Sequence, residues 1–375
     1  MVLHEESDFQ HMLRCQARDF SAGILREDGP VPQREGGLPL RRFHALREVG
    51  YPGILIPTEL EGEGGGWTEA AIVTEELAAG EPVLAMMLLS QLVCTAGLLR
   101  WADDRQMRDF LPPLARGDVL GAIALTEPEA GTDFAALRAS LEKRGDTACV
   151  NGNKCFVTNT APEEESGVLT FLRGHDGIAA AYIPSSSPGL HLAHHYRFSG
   201  WEGLPNHALV LQECTFPASH LLREYLERDD LLPIFDGSAL LVTAMAAGMA
   251  RTCLEEALRY ILERKQGGKR LAENQALYFR TADMATCIEL IKTSLYPAAA
   301  RLDADEPCHR ELCMLKLFAS GKLEEIASSA MEMLGGYGYT LDCRLSSLHR
   351  DAKGLQLFWG TRELMRLEIA RELEL

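Results

Sequence analysis

From Ser238 to Glu263 the chain runs as one continuous Ala-, Leu- and Met-rich stretch, and its polar residues fall largely in the second half. A helix that is apolar on more than one side must be enclosed by its neighbours, as in a bundle core or a subunit interface. This segment therefore commits residues 223–375 to a helical bundle. Ala70 to Ala79 and Pro82 to Trp101 carry apolar residues at three- and four-residue spacings, so residues 1–118 also read mainly as helices. Gly62 to Gly66 is a loop between them, and Pro112-Pro113 with Arg116-Gly117-Asp118 closes the region.

Between residues 119 and 222 the pattern changes to short apolar runs separated by turns. Gly121 to Leu125 is one such run. Ala148 to Val157 reads as a hairpin turning at Asn151-Gly152, a pair that tolerates positive φ. Further strands are expected at Ile178 to Ile183 and at His207 to Leu211. The expected class is α+β, in the order helical, β, helical, with boundaries after residues 118 and 222.

Composition excludes several roles. The 54 acidic residues against 37 Lys plus Arg give a net charge of −17, which opposes binding to nucleic-acid phosphates. Ten cysteines lie scattered from Cys15 to Cys343 without a Cys-x-x-Cys pair, so free thiols are expected rather than a metal site or a disulfide framework. The start, Met1 to Asp8, is acidic and lacks a long apolar run, unlike a signal or transit peptide. No stretch is read as the roughly 20 apolar residues that span a bilayer. A soluble, cytoplasmic protein is expected.

Six short blocks carry the chemistry: Thr126-Glu127-Pro128-Glu129-Ala130-Gly131-Thr132-Asp133, Lys154-Cys155-Phe156-Val157-Thr158-Asn159, Glu263 to Lys269 with Gln275, Gly335-Gly336-Tyr337-Gly338-Tyr339, Arg350-Asp351-Ala352-Lys353, and Phe358-Trp359-Gly360-Thr361. Taken singly they are a polar turn, a strand, a basic helix end and a glycine turn. In this order, over essentially the whole chain, they resemble the acyl-CoA dehydrogenase family of flavoproteins.

The resemblance implies an N-terminal helical domain, a middle β-barrel or sandwich domain and a C-terminal four-helix bundle. It implies FAD as cofactor and an acyl thioester as substrate, on CoA or on an acyl-carrier protein. It also implies a homodimer or homotetramer in which a neighbouring subunit reaches the dinucleotide. Leu125 and Thr126 would face the pyrimidine edge of the flavin, and Thr132 the thioester arm. Phe156, where the family usually has Trp, would shield the flavin ring, with Thr158 near its reactive nitrogen and both on one strand face. Arg264 and Gln275 would reach the partner's dinucleotide, Gly335 and Gly336 would let backbone approach the phosphates, and Gly360 and Thr361 would complete the cofactor site.

The departures are as informative. In most of the family the residue before the last Gly-Thr is the glutamate that takes the substrate α-proton, and here it is Trp359. Some members carry the base on the long C-terminal helix, where this chain has Ser238 followed by Ala239. Asp236 is the nearest acid, but two residues along a helix turn a side chain by roughly 200°, so it should point away from where Ser238 points. Gly267 stands where Phe is typical, and Glu332 and Glu363 where Gln is typical, which would loosen the cofactor's hold. Three functions remain open: a dehydrogenase with a relocated base, a flavin-dependent oxygenase or other non-dehydrogenating enzyme, and a silent thioester- or partner-binding relative. The altered site favours a specialised, secondary-metabolic role.

Overall fold

The computed structural model describes residues 6–28 and 38–373; Met1 to Glu5, part of the acidic start, lie outside them. Five helices come first: α1 (Asp8–Asp28), α2 (Leu38–Arg47), α3 (Trp67–Gly80), α4 (Pro82–Trp101) and α5 (Asp104–Ala115). Eight strands follow: β1 (Leu120–Ala124), β2 (Ser140–Arg144), β3 (Thr147–Thr158), β4 (Ser166–Arg173), β5 (Ile178–Pro184), β6 (Leu190–His195), β7 (Asn206–Pro217) and β8 (Leu221–Leu226). The chain then returns to helix with α6 (Leu232–Glu263), α7 (Gln275–Asp303), α8 (His309–Met333), α9 (Arg344–Leu355) and α10 (Arg362–Glu372). A minute ribbon, Lys265–Gln266 with Lys269–Arg270, separates α6 from α7.

The eight strands form one sheet in the order β6-β7-β3-β2-β4-β5-β8, with β1 parallel to β4. Ala122, Val150, Val168, Leu209 and Cys214 pack together on its inner side, so the sheet closes over its own core. Buried apolar residues of β3 and β7, among them Ala148, Val150, Leu209 and Leu211, supply this side.

Helices α4 and α6 form the larger core. Both are long and apolar enough to cross a membrane, contrary to the expectation that no stretch reaches that length. Yet 89% and 83% of their apolar windows are buried inside the protein itself. Helix α6 packs on α3, α7 and α8, which joins the two helical regions. An ionic cluster pins α1 to this assembly: buried Arg14 reaches Glu75 and Glu76 of α3 at 3.1 and 2.9 Å, and Arg251 of α6 reaches Glu76 at 2.6 Å.

The hairpin turn differs from the sequence reading. Strand β3 runs unbroken through Asn151-Gly152, and the turn lies before it, at Gly145-Asp146. Asn151 instead bridges to β7, donating to Glu213 Oε1 at 2.7 Å and accepting from the Glu213 amide at 2.8 Å, at a β-bulge. Gly152 is required there because a Cβ would lie 2.5 Å from Ala139 Cα. A residue pair that permits a turn also permits a bulge, and the neighbouring strand decides between them.

Candidate active-site cavity

Where β1 and β3 leave the sheet they face the start of α6 and the loop after α9, enclosing a cavity of about 540 Å³. Leu125, Thr126, Thr132, Phe156, Thr158, Trp359, Gly360 and Thr361 all line it, although they come from three distant parts of the sequence. Among the described residues its wall contains no carboxylate, imidazole, ammonium or guanidinium group, and Cys155 is its one ionisable side chain. Seven of its 22 lining residues are aromatic. Phe134 and Phe235 stack at 5.2 Å between centroids, and Phe358 packs edge-on to Phe198 at 5.4 Å.

The turn that carries Thr126 and Thr132 is held from beneath by a buried ion pair. Lys154 Nζ lies 2.6 Å from Glu127 Oε1 and also donates to the Leu125 carbonyl at 3.2 Å. Glu127 further accepts the amides of Arg138 and Ala139 at 2.6 and 3.0 Å. Burial pushes the Glu127 carboxyl up, but the Lys154 ammonium and the two amides outweigh it and hold the carboxyl below its usual range. Burial pulls Lys154 down, and Glu127 only partly compensates.

Phe156 and Thr158 reach the cavity by a different route from strict alternation. The β3–β7 register shifts between Lys154 and Val157, and Phe156 takes φ +58°, a left-handed conformation uncommon for a bulky residue. The bulge re-aims the ring, so Cys155, Phe156 and Thr158 all face the cavity. Sequence reasoning missed Asn206, which is buried, donates to Thr158 Oγ1 at 2.8 Å and leaves its own Oδ1 without a partner. An Asn at a strand start reads as a turn residue, so only a contact across the sheet reveals it. Buried polar atoms are nearly always satisfied. An orphaned amide oxygen beside Thr158, in a large cavity that Thr126 and several aromatic rings also line, fits a flat ring system with a polar edge, such as a flavin.

Asp236 and Ser238 do not line the cavity. Helix α6 begins before both, at Leu232, so the expected half-turn rotation applies. Ser238 is fully buried and its hydroxyl donates back to the Phe235 carbonyl at 2.8 Å. Asp236 turns to His309 of α8, with 2.5 Å between Oδ1 and Nδ1, and His309 Nε2 approaches Glu368 at 3.5 Å. Burial raises the Asp236 carboxyl. Burial pulls His309 down, but the Asp236 and Cys313 hydrogen bonds and the Asp236 charge lift it to about 10. The Asp236 carboxylate is thus committed to another helix.

A folded-state pKa above the unfolded value stabilises fully below the unfolded one, about 6.5 for histidine, and less as pH climbs. We therefore expect the unfolding free-energy difference between wild type and His309→Gln to shrink steadily from about pH 6.5 towards pH 10. Urea titrations at fixed pH values measure it, and a difference that stays constant would contradict the charged pair.

Arg264, Gln275, Gly335 and Gly336 stand apart from the cavity, exposed at one end of the bundle. Glu332 pairs with Arg280 at 3.0 Å and Glu363 with Arg366 at 3.0 Å. Each carboxylate therefore has a cation of its own, which weakens the expected repulsion of a cofactor. Gly267 adopts φ +60° with open space where a Cβ would point.

Comparison with known proteins gives concordant matches. Family models for the acyl-CoA dehydrogenase N-terminal, middle and C-terminal domains match residues 7–118, 122–214 and 232–374. The chain is 32% identical to the probable acyl-CoA dehydrogenase YngJ of Bacillus subtilis, covering 97% of each. It is also 32% identical to an acryloyl-CoA reductase (NADH) of Anaerotignum propionicum, covering 97% of this chain and 94% of that one. The structure of butyryl-CoA dehydrogenase from Megasphaera elsdenii superposes with a TM-score of 0.91 at 27% identity, over 100% of both chains.

Proposed function

The chain belongs to the acyl-CoA dehydrogenase family of FAD-dependent oxidoreductases, and from that premise we propose a reaction in which no protein carboxylate handles the substrate α-proton. The observation that carries this reading is the cavity wall, which brings Thr126, Thr132, Phe156, Thr158 and Trp359 together without one acid among the described residues. Trp359 stands in the place of the family's glutamate, and an indole cannot act as a base.

A thioester α-proton is weakly acidic, so its removal needs a base held within hydrogen-bonding reach. In the opposite direction the enolate left by hydride addition takes its proton from water, so that step asks for no protein acid, and the flavin's potential sets which direction prevails. The site is therefore suited to delivering hydride to the β-carbon of an α,β-unsaturated acyl thioester, carried on CoA or on a carrier protein. A bound flavin, once reduced by an external electron donor, would supply that hydride.

This chain's residues bind and orient. Leu125 and Thr126 face the cofactor's polar edge, Phe156 covers its ring, and Asn206 presents Thr158 to it. Gly360 and Thr361 complete this cofactor wall. Thr132 holds the thioester arm, and Phe134, Phe235 and Trp359 enclose an uncharged acyl group while keeping water scarce. Arg264, Gln275, Gly335 and Gly336 serve the dinucleotide of a second subunit in a homo-oligomer. A specialised pathway rather than general fatty-acid breakdown fits so altered a site.

The test compares both directions anaerobically with FAD-loaded protein. Oxidised protein is mixed with a saturated acyl thioester, and dithionite-reduced protein with the matching 2-enoyl thioester, while flavin absorbance is followed. Reoxidation by the enoyl compound should exceed bleaching by the saturated one by at least about 100-fold, which is a poise of about 2.7 kcal/mol toward the saturated thioester. Comparable rates would refute the proposal, and a protein that takes up no FAD would refute the cofactor assignment.

A further inference from the structure

Lys316 lies in the middle of α8, is 2% exposed, and has no carboxylate within salt-bridge distance among the described residues. Its Nζ instead meets three consecutive backbone carbonyls of the loop that carries the indole: Phe358 at 2.9 Å, Trp359 at 2.5 Å and Gly360 at 2.5 Å. An ammonium has three N–H donors, and here each has an acceptor.

Three successive carbonyls converge on one point only if the chain curls around that point. The curl is visible in the backbone: Trp359 sits at φ +55° and Gly360 at φ +99°. For a bulky side chain such a φ is strained and persists only where the surroundings over-determine it. The indole enters the cavity from this curled residue. Glycine suits the position next to it, since φ +99° is a conformation that L side chains rarely adopt.

We propose that Lys316 is the positioning residue of the active-site loop: its buried ammonium gathers the 358–360 carbonyls, holds Trp359 in the left-handed conformation and so fixes what side chain 359 presents to the cavity. The role is independent of which thioester or reaction direction the cavity serves, because it concerns the loop rather than the chemistry. A buried charge without an anion is costly unless fully hydrogen-bonded, and the carbonyl cradle meets that condition. Burial pushes Lys316 down to about 7, and the three carbonyls favour the charged form against that push. Loss of the proton would leave two N–H donors and a lone pair facing three acceptors, so the same cradle that holds the loop also favours keeping the charge.

Hydrogen exchange of the full-length protein, with no cofactor or thioester added, tests this directly. Lys316→Met preserves the apolar stem and removes the donors. The amides of residues 357–361 should then exchange at least about tenfold faster, while the rest of α8 and α10 keeps wild-type protection. Lys316→Arg keeps charge and donors and should recover much of the loop's protection. Unchanged exchange in the loop of Lys316→Met overturns the proposal. So does loosening spread evenly through α8 and α10, which marks simple core damage, and so does an Arg variant no better protected than the Met variant. If Lys316→Met fails to fold, Lys316→Gln, with two donors on a shorter stem, is read in the same way and must show the same local loss.

Discussion

Glu127→Ala should cost about 3–5 kcal/mol of stability, the usual penalty for leaving one half of a buried ion pair uncompensated. The substitution strands the Lys154 ammonium, which is fully buried, and deprives the Arg138 and Ala139 amides of their acceptor. The Glu127↔Ala130 bridge closes the same turn, so the segment from Leu125 to Ala139 should lose its fixed shape. Thr126 and Thr132 would move with it, and the cavity wall would open. A urea midpoint well below wild type, together with weakened flavin binding, is the expected result. The cause is separable by a double-mutant cycle. Glu127→Ala with Lys154→Met removes the stranded charge, so the double variant should be more stable than Glu127→Ala alone. A double variant that is less stable than the single would mean that Lys154 holds the turn on its own account, through its bond to the Leu125 carbonyl, rather than being a stranded charge.

The helical regions were legible because burial demands apolar residues. Helices α4 and α6 announce themselves by apolar character all round; α4 has the expected ends, and α6 ends at Glu263 as expected but begins six residues early, at Leu232. The motif residues gathered around the cavity were legible as well, since Thr126, Phe156 and Trp359 line one space although the chain separates them widely. Even the misdirection of Asp236 followed from helix geometry alone. What remained hidden depends on partners distant in sequence. Asn151-Gly152 chose a bulge over a turn because β7 offered Glu213. The bulge at Phe156 broke the alternation by which its direction had been argued. Asn206 matters through Thr158, and Lys316 through carbonyls 42 to 44 positions away. A lysine inside an apolar helical run, Leu312 to Phe318, was the one available signal for the last of these.

Trp359→Glu should gain desaturation of a short saturated acyl-CoA, with flavin bleaching accelerated by about 100- to 10,000-fold, the range of a positioned general base. The Lys316 cradle binds the backbone of residue 359 rather than its side chain, so a glutamate should inherit the same curl and the same direction into the cavity. The aromatic wall would raise its pKa, because burial disfavours the charged carboxylate. That shift suits a base: it brings the group nearer to neutral pH and strengthens its grip on the proton it removes. Space is favourable too, since Glu is smaller than Trp and the lost indole leaves room for the acyl chain. The decisive measurement is anaerobic flavin absorbance after mixing Trp359→Glu with butanoyl-CoA, beside wild type. Rapid bleaching in the variant alone would identify the missing carboxylate as the whole difference between this cavity and a desaturating one. Flavin retained but unbleached would mean that Phe134, Phe235 and Phe358 hold the acyl group away from residue 359. The specialisation would then lie in the shape of the cavity as much as in its lost base.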